Sequence, residues 1–203
     1  MENKEKVESK NSHGANDVIL IKEVEKFIDE FKNESDRAVV IIGAAKIDNL
    51  LMELLLNKLM PNVSGNDELF DGDSPLSTFS AKINLCYRIG IIDAELTRAL
   101  HIIRRIRNSF AHEVSGCSLD SGQQKDRIHQ LIAPLIKYEK FHQLKEYFFK
   151  DKMEYKINFH AIIALISARL QYALYRIERV DESKKISFIP SVYKETTVKK
   201  NEK

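Results

Sequence analysis

The chain of 203 residues sets 32 lysines and arginines against 30 aspartates and glutamates, for a formal charge of +2, and 43% of it is hydrophobic. That length suits one domain burying about 70% of the surface its unfolded chain exposes, with no need of a disulfide or a metal. The two cysteines, Cys86 and Cys117, lack C-x-x-C spacing, which excludes a disulfide framework and a cysteine zinc cluster and makes a reducing cytoplasm the expected compartment.

The opening MENKEKVESK alternates charges where a secretory signal needs an apolar stretch, and no segment reaches 18 uninterrupted apolar residues, so neither export nor membrane spanning is expected. Residues 1–16 are polar and glycine-containing, the composition of a disordered lead-in. At the other end, residues 184–203 hold six lysines against Glu195 and Glu202, a basic flexible tail of charge +4. The intervening domain, 17–183, is left at about −2, which is not the basic footprint of a stand-alone DNA-binding domain. Direct DNA binding through the tail is disfavoured because a flexible lysine tail supplies affinity without base readout.

Asp17 is expected to cap a first helix to about Lys32, with Val18, Ile21, Val24, Ile28 and Phe31 on one stripe. A long second helix, Ser35 to Met60, starts at a serine cap, ends before Pro61 and carries apolar residues on more than one face (Val39, Ile42, Ile47, Leu50, Leu51, Leu54, Leu55, Leu59), as a central helix should. Prolines, glycines and acids over Pro61 to Thr78 predict a loop pinned by Leu69, Phe70 and Leu76. A third helix runs from Phe79 to Ile89, stopped by Gly90, and Asp93 caps a fourth from Ala94 to about Glu113 that buries Leu96, Leu100, Ile103, Ile106 and Phe110. Gly116 and Gly122 predict a turn. Gln123 to Lys150 reads as one or two helices interrupted near Pro134. Asn158 is the expected cap of a last helix through Val180. Alternation of β-branched residues is nearly absent, so the fold class is all-α, a single bundle of five to seven helices.

Two features between Asp67 and His112 resemble the mannitol operon repressor (MltR) family: the turn Asp71-Gly72-Asp73-Ser74-Pro75-Leu76, and the segment Phe79 to Ile92 with its Ala81-Lys82-Ile83 and Ile89-Gly90-Ile91 landmarks. A weaker likeness extends over roughly Phe27 to Val180. The resemblance implies a helical bacterial regulatory protein that acts in transcriptional control through a protein partner and has no DNA-reading motif of its own.

Within the same block, Arg107-Asn108-Ser109-Phe110-Ala111-His112 has the R-x4-H form, with a polar residue after the arginine, that is similar to the signature of HEPN-domain ribonucleases. RNA carries its own nucleophile, the 2′-hydroxyl, so a metal-independent enzyme needs only a proton acceptor and a cation beside the phosphate. His112 can be the acceptor and Arg107 the cation that stabilises charge on the phosphate oxygens, while Asn108 orients either group. The two side chains differ by about 140° around a straight helix, so a shared cleft requires two copies, which the HEPN resemblance implies. A two-fold homodimer is expected on that ground and from the apolar length of the helices. RNA is the partner under this second reading.

The same residues have a structural reading. Arg107 can pair with a carboxylate on a neighbouring helix, and His112 in a last turn can meet the helix dipole. Arg104, Arg105 and Asn108 are expected to project together from the exposed side of the fourth helix, either touching phosphate or as a solvated face. The acids Asp67, Glu68, Asp71 and Asp73 lack EF-hand spacing and serve loop capping. His101 and His112 are about 16 Å apart along a helix, too far to share a metal. No phosphate loop or nucleophile elbow occurs, so neither a cofactor nor a metal is expected. The stripe Ile162, Leu165, Ile166, Leu170, Ala173, Leu174, Ile177 is expected to be core, any excess serving a partner.

Overall fold

A computed structural model describes residues 21–31, 33–63, 65, 67–113, 116–120, 122–150, 155–181 and 186, the side chains of residues 140 and 149 excepted. The expected lead-in, the Asp17 cap and the basic tail apart from Ile186 lie outside them. Among the described residues there are seven helices and no strand: residues 21–31 (α1), Asp36–Lys58 (α2), Phe79–Arg88 (α3), Ala94–His112 (α4), Gly122–Ile132 (α5), Glu139–Phe149 (α6) and Tyr155–Leu174 (α7). The all-α bundle read from the sequence is the fold.

The spine is a pair of helices, α2 and α7, that pack on each other more extensively than any other two. Both are apolar around most of their circumference because both are covered on several sides: α2 also meets α3 and α4, and α7 also meets α5 and α6. They meet tightly at Gly43, where an added Cβ would lie 2.9 Å from Ile163 Cγ2 and 3.7 Å from Phe27 Cζ. The glycine is needed for space, since it sits inside a helix. Phe27 and Phe31 of α1 stack at 4.5 Å between ring centroids, and Lys46 of α2 lies over the Phe27 ring and pairs with Glu30 at 3.4 Å, which fastens α1 to the spine. Helix α7 is long and apolar enough to cross a membrane, but 61% of its most apolar stretch is buried inside the protein, as a core helix requires.

Local signals placed three helix starts. The N–H groups of Ala38, Ala81 and Leu96 donate to the side chains of Ser35, Thr78 and Asp93 at 3.2, 3.1 and 2.7 Å. Gly90 ends the α3 turn with φ 75°, which an L side chain rarely adopts, and the Ile91 N–H closes the turn onto Cys86 O at 2.8 Å. The segment after Gly122 is two helices, broken by turns at residues 133–137 around Pro134.

Asn158 does not cap the last helix. It lies three residues inside α7 and is buried, and the start is capped from a distance, with the N–H groups of Tyr155 and Lys156 donating to Asp120 Oδ1 at 3.0 and 3.4 Å. A cap supplied by another segment removes the need for one in the local sequence. Helix α7 also stops at Leu174 rather than Val180; the chain unwinds through a turn, and the Val180 N–H donates to Lys58 O at 2.9 Å, laying residues 175–181 across the end of α2. Ile42, expected in the core, is 47% exposed. The α7 stripe is used up: Ile162, Ile166 and Leu170 are buried, and Leu165, Ala173, Leu174 and Ile177 pack against the core.

Candidate functional site

Helix α4 buries Leu100, Ile102, Ile103, Ile106 and Phe110 along one side, which turns its last two turns outward with their polar residues. Arg107 and His112 are exposed and Asn108 is half-buried. Arg107 Nη1 donates to Asn108 Oδ1 at 3.1 Å, a bond between neighbours that leaves the outer edge of the guanidinium to solvent. The sequence alternative in which Arg107 pairs with a carboxylate is not realised: among the described residues it forms no ion pair. Of the trio expected on the outer face, Arg105 is exposed, whereas Arg104 and Asn108 are half-buried and Arg104 Nε finds no partner.

Two other arginines hold this end of α4. Arg37, in the first turn of α2, donates from Nη1 to Phe110 O and from Nη2 to Glu113 O at 2.5 Å, so a cation meets the carbonyls that a helix end leaves without intrahelical donors. Arg127 of α5 shares its Nη1 among Ser109 Oγ at 2.8 Å, Gln124 Oε1 at 3.2 Å and Arg105 O at 3.3 Å. Neither arginine forms an ion pair among the described residues. The result is a helix end held by two guanidinium groups whose hydrogen-bond partners among the described residues are neutral oxygens. Nothing in the local sequence distinguished Arg37 and Arg127 from other surface arginines.

Cys117 follows this end of the helix and is half-buried. Burial, and then the hydrogen bond and charge of Glu113, push its thiol pKa up against the opposing pull of Arg37 and Arg127, so it is not an activated nucleophile. Cys86 is wholly buried, and its pKa is pushed up to about 12 by that burial. At His101, burial, then Arg104 and Arg105, lower the pKa, and its Nε2 is bonded to Asn84 Oδ1 at 3.1 Å.

The R-x4-H pair itself offers one cation and one imidazole in solvent. On one helix they are separated by about 140° of rotation and roughly 7.5 Å of rise, so a single copy does not aim both at one phosphate.

A second surface has a different character. At the far end of α2, Leu56 and Met60 are 43% and 42% exposed, and with Val63, Leu69 and Phe70 they line a groove of about 520 Å³ edged by Asp67, Glu68 and Arg179. Its outer wall is the loop bearing the acidic turn. The Asp67 N–H donates to Asp71 Oδ2 at 3.1 Å, the Leu69 N–H donates to Asp67 Oδ1 at 3.0 Å, and the Leu76 N–H donates to Leu69 O at 2.9 Å. Asp67 and Asp71 thus each accept a backbone hydrogen bond that shapes the loop. Of the three residues expected to pin the loop to the body, Phe70 packs against the core, Leu76 is half-buried, and Leu69 remains 44% exposed beside the groove. Leu56 and Met60 gave no sequence signal, because exposure at the end of a helix depends on where the following loop is laid.

No family model, no curated protein and no solved structure matches this chain.

Proposed function

We propose that this protein is a regulator of the mannitol operon repressor type, which exerts transcriptional control by holding a segment of another protein in the groove at the end of α2. The observation that supports this reading is the clustering of exposed apolar side chains there, Leu56, Met60, Val63 and Leu69, in a concavity within the ~300–1,000 Å³ range of binding sites. The wall of that groove is shaped by the turn Asp71 to Leu76, one of the two features that carry the resemblance. The acidic rim, Asp67 and Glu68, selects a partner segment in which large apolar residues stand next to lysine or arginine. Fluorescence anisotropy against a panel of labelled basic and apolar peptides tests it. Binding that weakens at least tenfold in Met60→Asp and Leu69→Asp is expected; peptides bound equally well by both variants would sink the reading.

A second reading has its own support, the exposure of Arg107 and His112 and their freedom from any core or ion-pair role among the described residues. Under it, two copies in a homodimer bring one Arg107 and one His112 to the same phosphate of an RNA strand. His112 takes the 2′-hydroxyl proton, the 2′-oxygen attacks phosphorus as the bond to the 5′-oxygen breaks, and the leaving oxygen takes a proton from water, whose hydroxide is neutralised by the proton held on His112. The product is a 2′,3′-cyclic phosphate, with no metal used. Mixed single-stranded RNA in EDTA is the assay: cleavage should vanish in both Arg107→Ala and His112→Ala. Cleavage that survives both substitutions eliminates the site.

A further inference from the structure

We infer that the cavity between the end of α7, the last turn of α2 and the Gly90–Ile91 turn is a small-molecule site that takes a flat aromatic ring bearing one carboxylate. It shares no lining residue with the groove beside Leu69, and nothing in it depends on how that groove is read.

The fold builds this cavity at the carboxyl ends of its two spine helices. These run parallel, since Gly43 meets Ile163 in their first halves and the Val180 N–H reaches Lys58 O, at 2.9 Å, beyond their ends. Past Leu174 the chain tightens into a turn in which the Arg176 and Ile177 N–H groups both donate to Ala173 O, at 3.0 and 2.9 Å, and this gathers Tyr172, Arg176 and Ile177 on one wall. Lys58 supplies the α2 wall, and Gly90 and Ile91 the third. The enclosed space is about 520 Å³, within the ~300–1,000 Å³ range of small-molecule sites.

The lining sets the chemistry of the ligand. Ile91, Ala173 and Ile177 are half-buried and pack against the core, and the half-buried Tyr172 ring lies 5.8 Å from the Arg176 guanidinium. An apolar wall that carries an aromatic ring and a cation suits a flat ring. Lys58, Arg176 and Glu178 line the same cavity, yet none of them forms an ion pair among the described residues. Two cations and one carboxylate sum to +1, which matches a monoanion. Arg176 offers a planar fork that grips a carboxylate at two points, and Lys58 adds a point charge. The Glu178 carboxylate accepts hydrogen bonds and donates none, so it selects a ring that carries a hydroxyl or an N–H.

Ligand-observed saturation-transfer NMR and calorimetric titration of the full chain test this, with para-hydroxybenzoate as the probe beside benzoate, para-hydroxybenzyl alcohol and phenyl phosphate. Para-hydroxybenzoate should bind, and Lys58→Gln and Arg176→Gln should each weaken it about tenfold or more. Arg179→Gln, which removes a cation that lines the groove instead, should leave binding unchanged. The uncharged alcohol should bind at least tenfold more weakly than para-hydroxybenzoate, and benzoate severalfold more weakly, a gap that Glu178→Ala should close. Arg176 and Glu178 are exposed, so their variants keep the fold and the result stays readable if Lys58→Gln does not. The inference is overturned by no saturation transfer to any of the four probes at millimolar concentration, by equal binding of the alcohol, by tighter binding of phenyl phosphate, or by losses in Arg179→Gln as large as in Arg176→Gln. A preference for the hydroxyl that persists in Glu178→Ala overturns the part given to Glu178.

Discussion

The guanidinium of Arg37 closes the carboxyl end of α4 by donating to the carbonyl of Phe110, a residue 73 positions later in the chain. Its second nitrogen takes Glu113 O, so one side chain at the start of α2 fixes the last turn in which Asn108 and His112 sit. Hydrogen bonds involving a charged group contribute about 1.5–3 kcal/mol, reduced here because Arg37 is exposed. Arg37→Met should therefore destabilise by roughly 1–2 kcal/mol, whereas Arg107→Met, an exposed substitution, should stay within about 0.5 kcal/mol of wild type. Urea denaturation of both variants decides; equal losses would mean that Arg107 is as structural as Arg37.

The contrast between these two arginines marks the limit of what the sequence shows. The caps Ser35 and Asp93 act on N–H groups three residues away, so their meaning is contained in a few adjacent letters, and both were legible. The cap of α7 comes from Asp120, 35 residues upstream of Tyr155, and a nearby asparagine drew the expectation instead. Arg107 stood out because a short motif contains it. Arg37 and Arg127 act through partners brought close only by folding, and the groove beside Leu69 depends on how a loop is laid over a helix end. Helix positions and core stripes are local in sequence, while site geometry is not.

His160 is 5% exposed on α7, and its Nε2 has no hydrogen-bond partner. Burial first, and then the charge of Lys156, hold its pKa down to about 4, against the opposing attraction of Asp36. The unfolded chain therefore binds a proton near the ordinary value of 6.5 that the folded protein refuses until about 4. Stability contributed by the neutral imidazole is complete above pH 6.5 and is lost as the pH falls toward 4, reaching about 3 kcal/mol. His160→Phe should lack this component, so the gap between the two urea midpoints should change between pH 7 and pH 4 in the variant's favour. Parallel curves across that range would show that His160 is not the group responsible.

Gly43 sets how near α2 and α7 can come. Alanine is favoured over glycine inside a helix by about 1 kcal/mol, yet its Cβ would stand 2.9 Å from Ile163 Cγ2, a methyl on a stiff, buried, β-branched side chain. Overpacking of this kind costs about 1–3 kcal/mol, so Gly43→Ala is expected to be a net loss of around 1 kcal/mol and Gly43→Val a larger one. Ile163→Leu removes the offending branch. The double variant Gly43→Ala/Ile163→Leu should be more stable than additivity of the singles allows, and strict additivity in a thermal or urea cycle would rule out the contact as the cause.

The pair between Lys82 of α3 and Asp48 of α2, 2.9 Å apart, is an enclosed ion pair, with the lysine side chain 7% exposed and the aspartate 29%. Enclosing two charges costs solvation that their attraction only roughly repays, so the pair is worth little as a unit, but removing one member strands the other. Asp48→Leu leaves the Lys82 ammonium buried without a counter-charge, and a loss of about 3 kcal/mol is expected, at the low end of the range because Asp48 is partly solvated. Lys82→Met strands a carboxylate that water can still reach, and should cost less. The double variant Asp48→Leu/Lys82→Met places two apolar side chains of similar volume across the α2 and α3 contact and should recover most of the stability of wild type. The ordering of the three variants in urea denaturation is the test: if the double variant is as unstable as Asp48→Leu, the pair stabilises the fold through its charges, and the desolvation argument for this site fails.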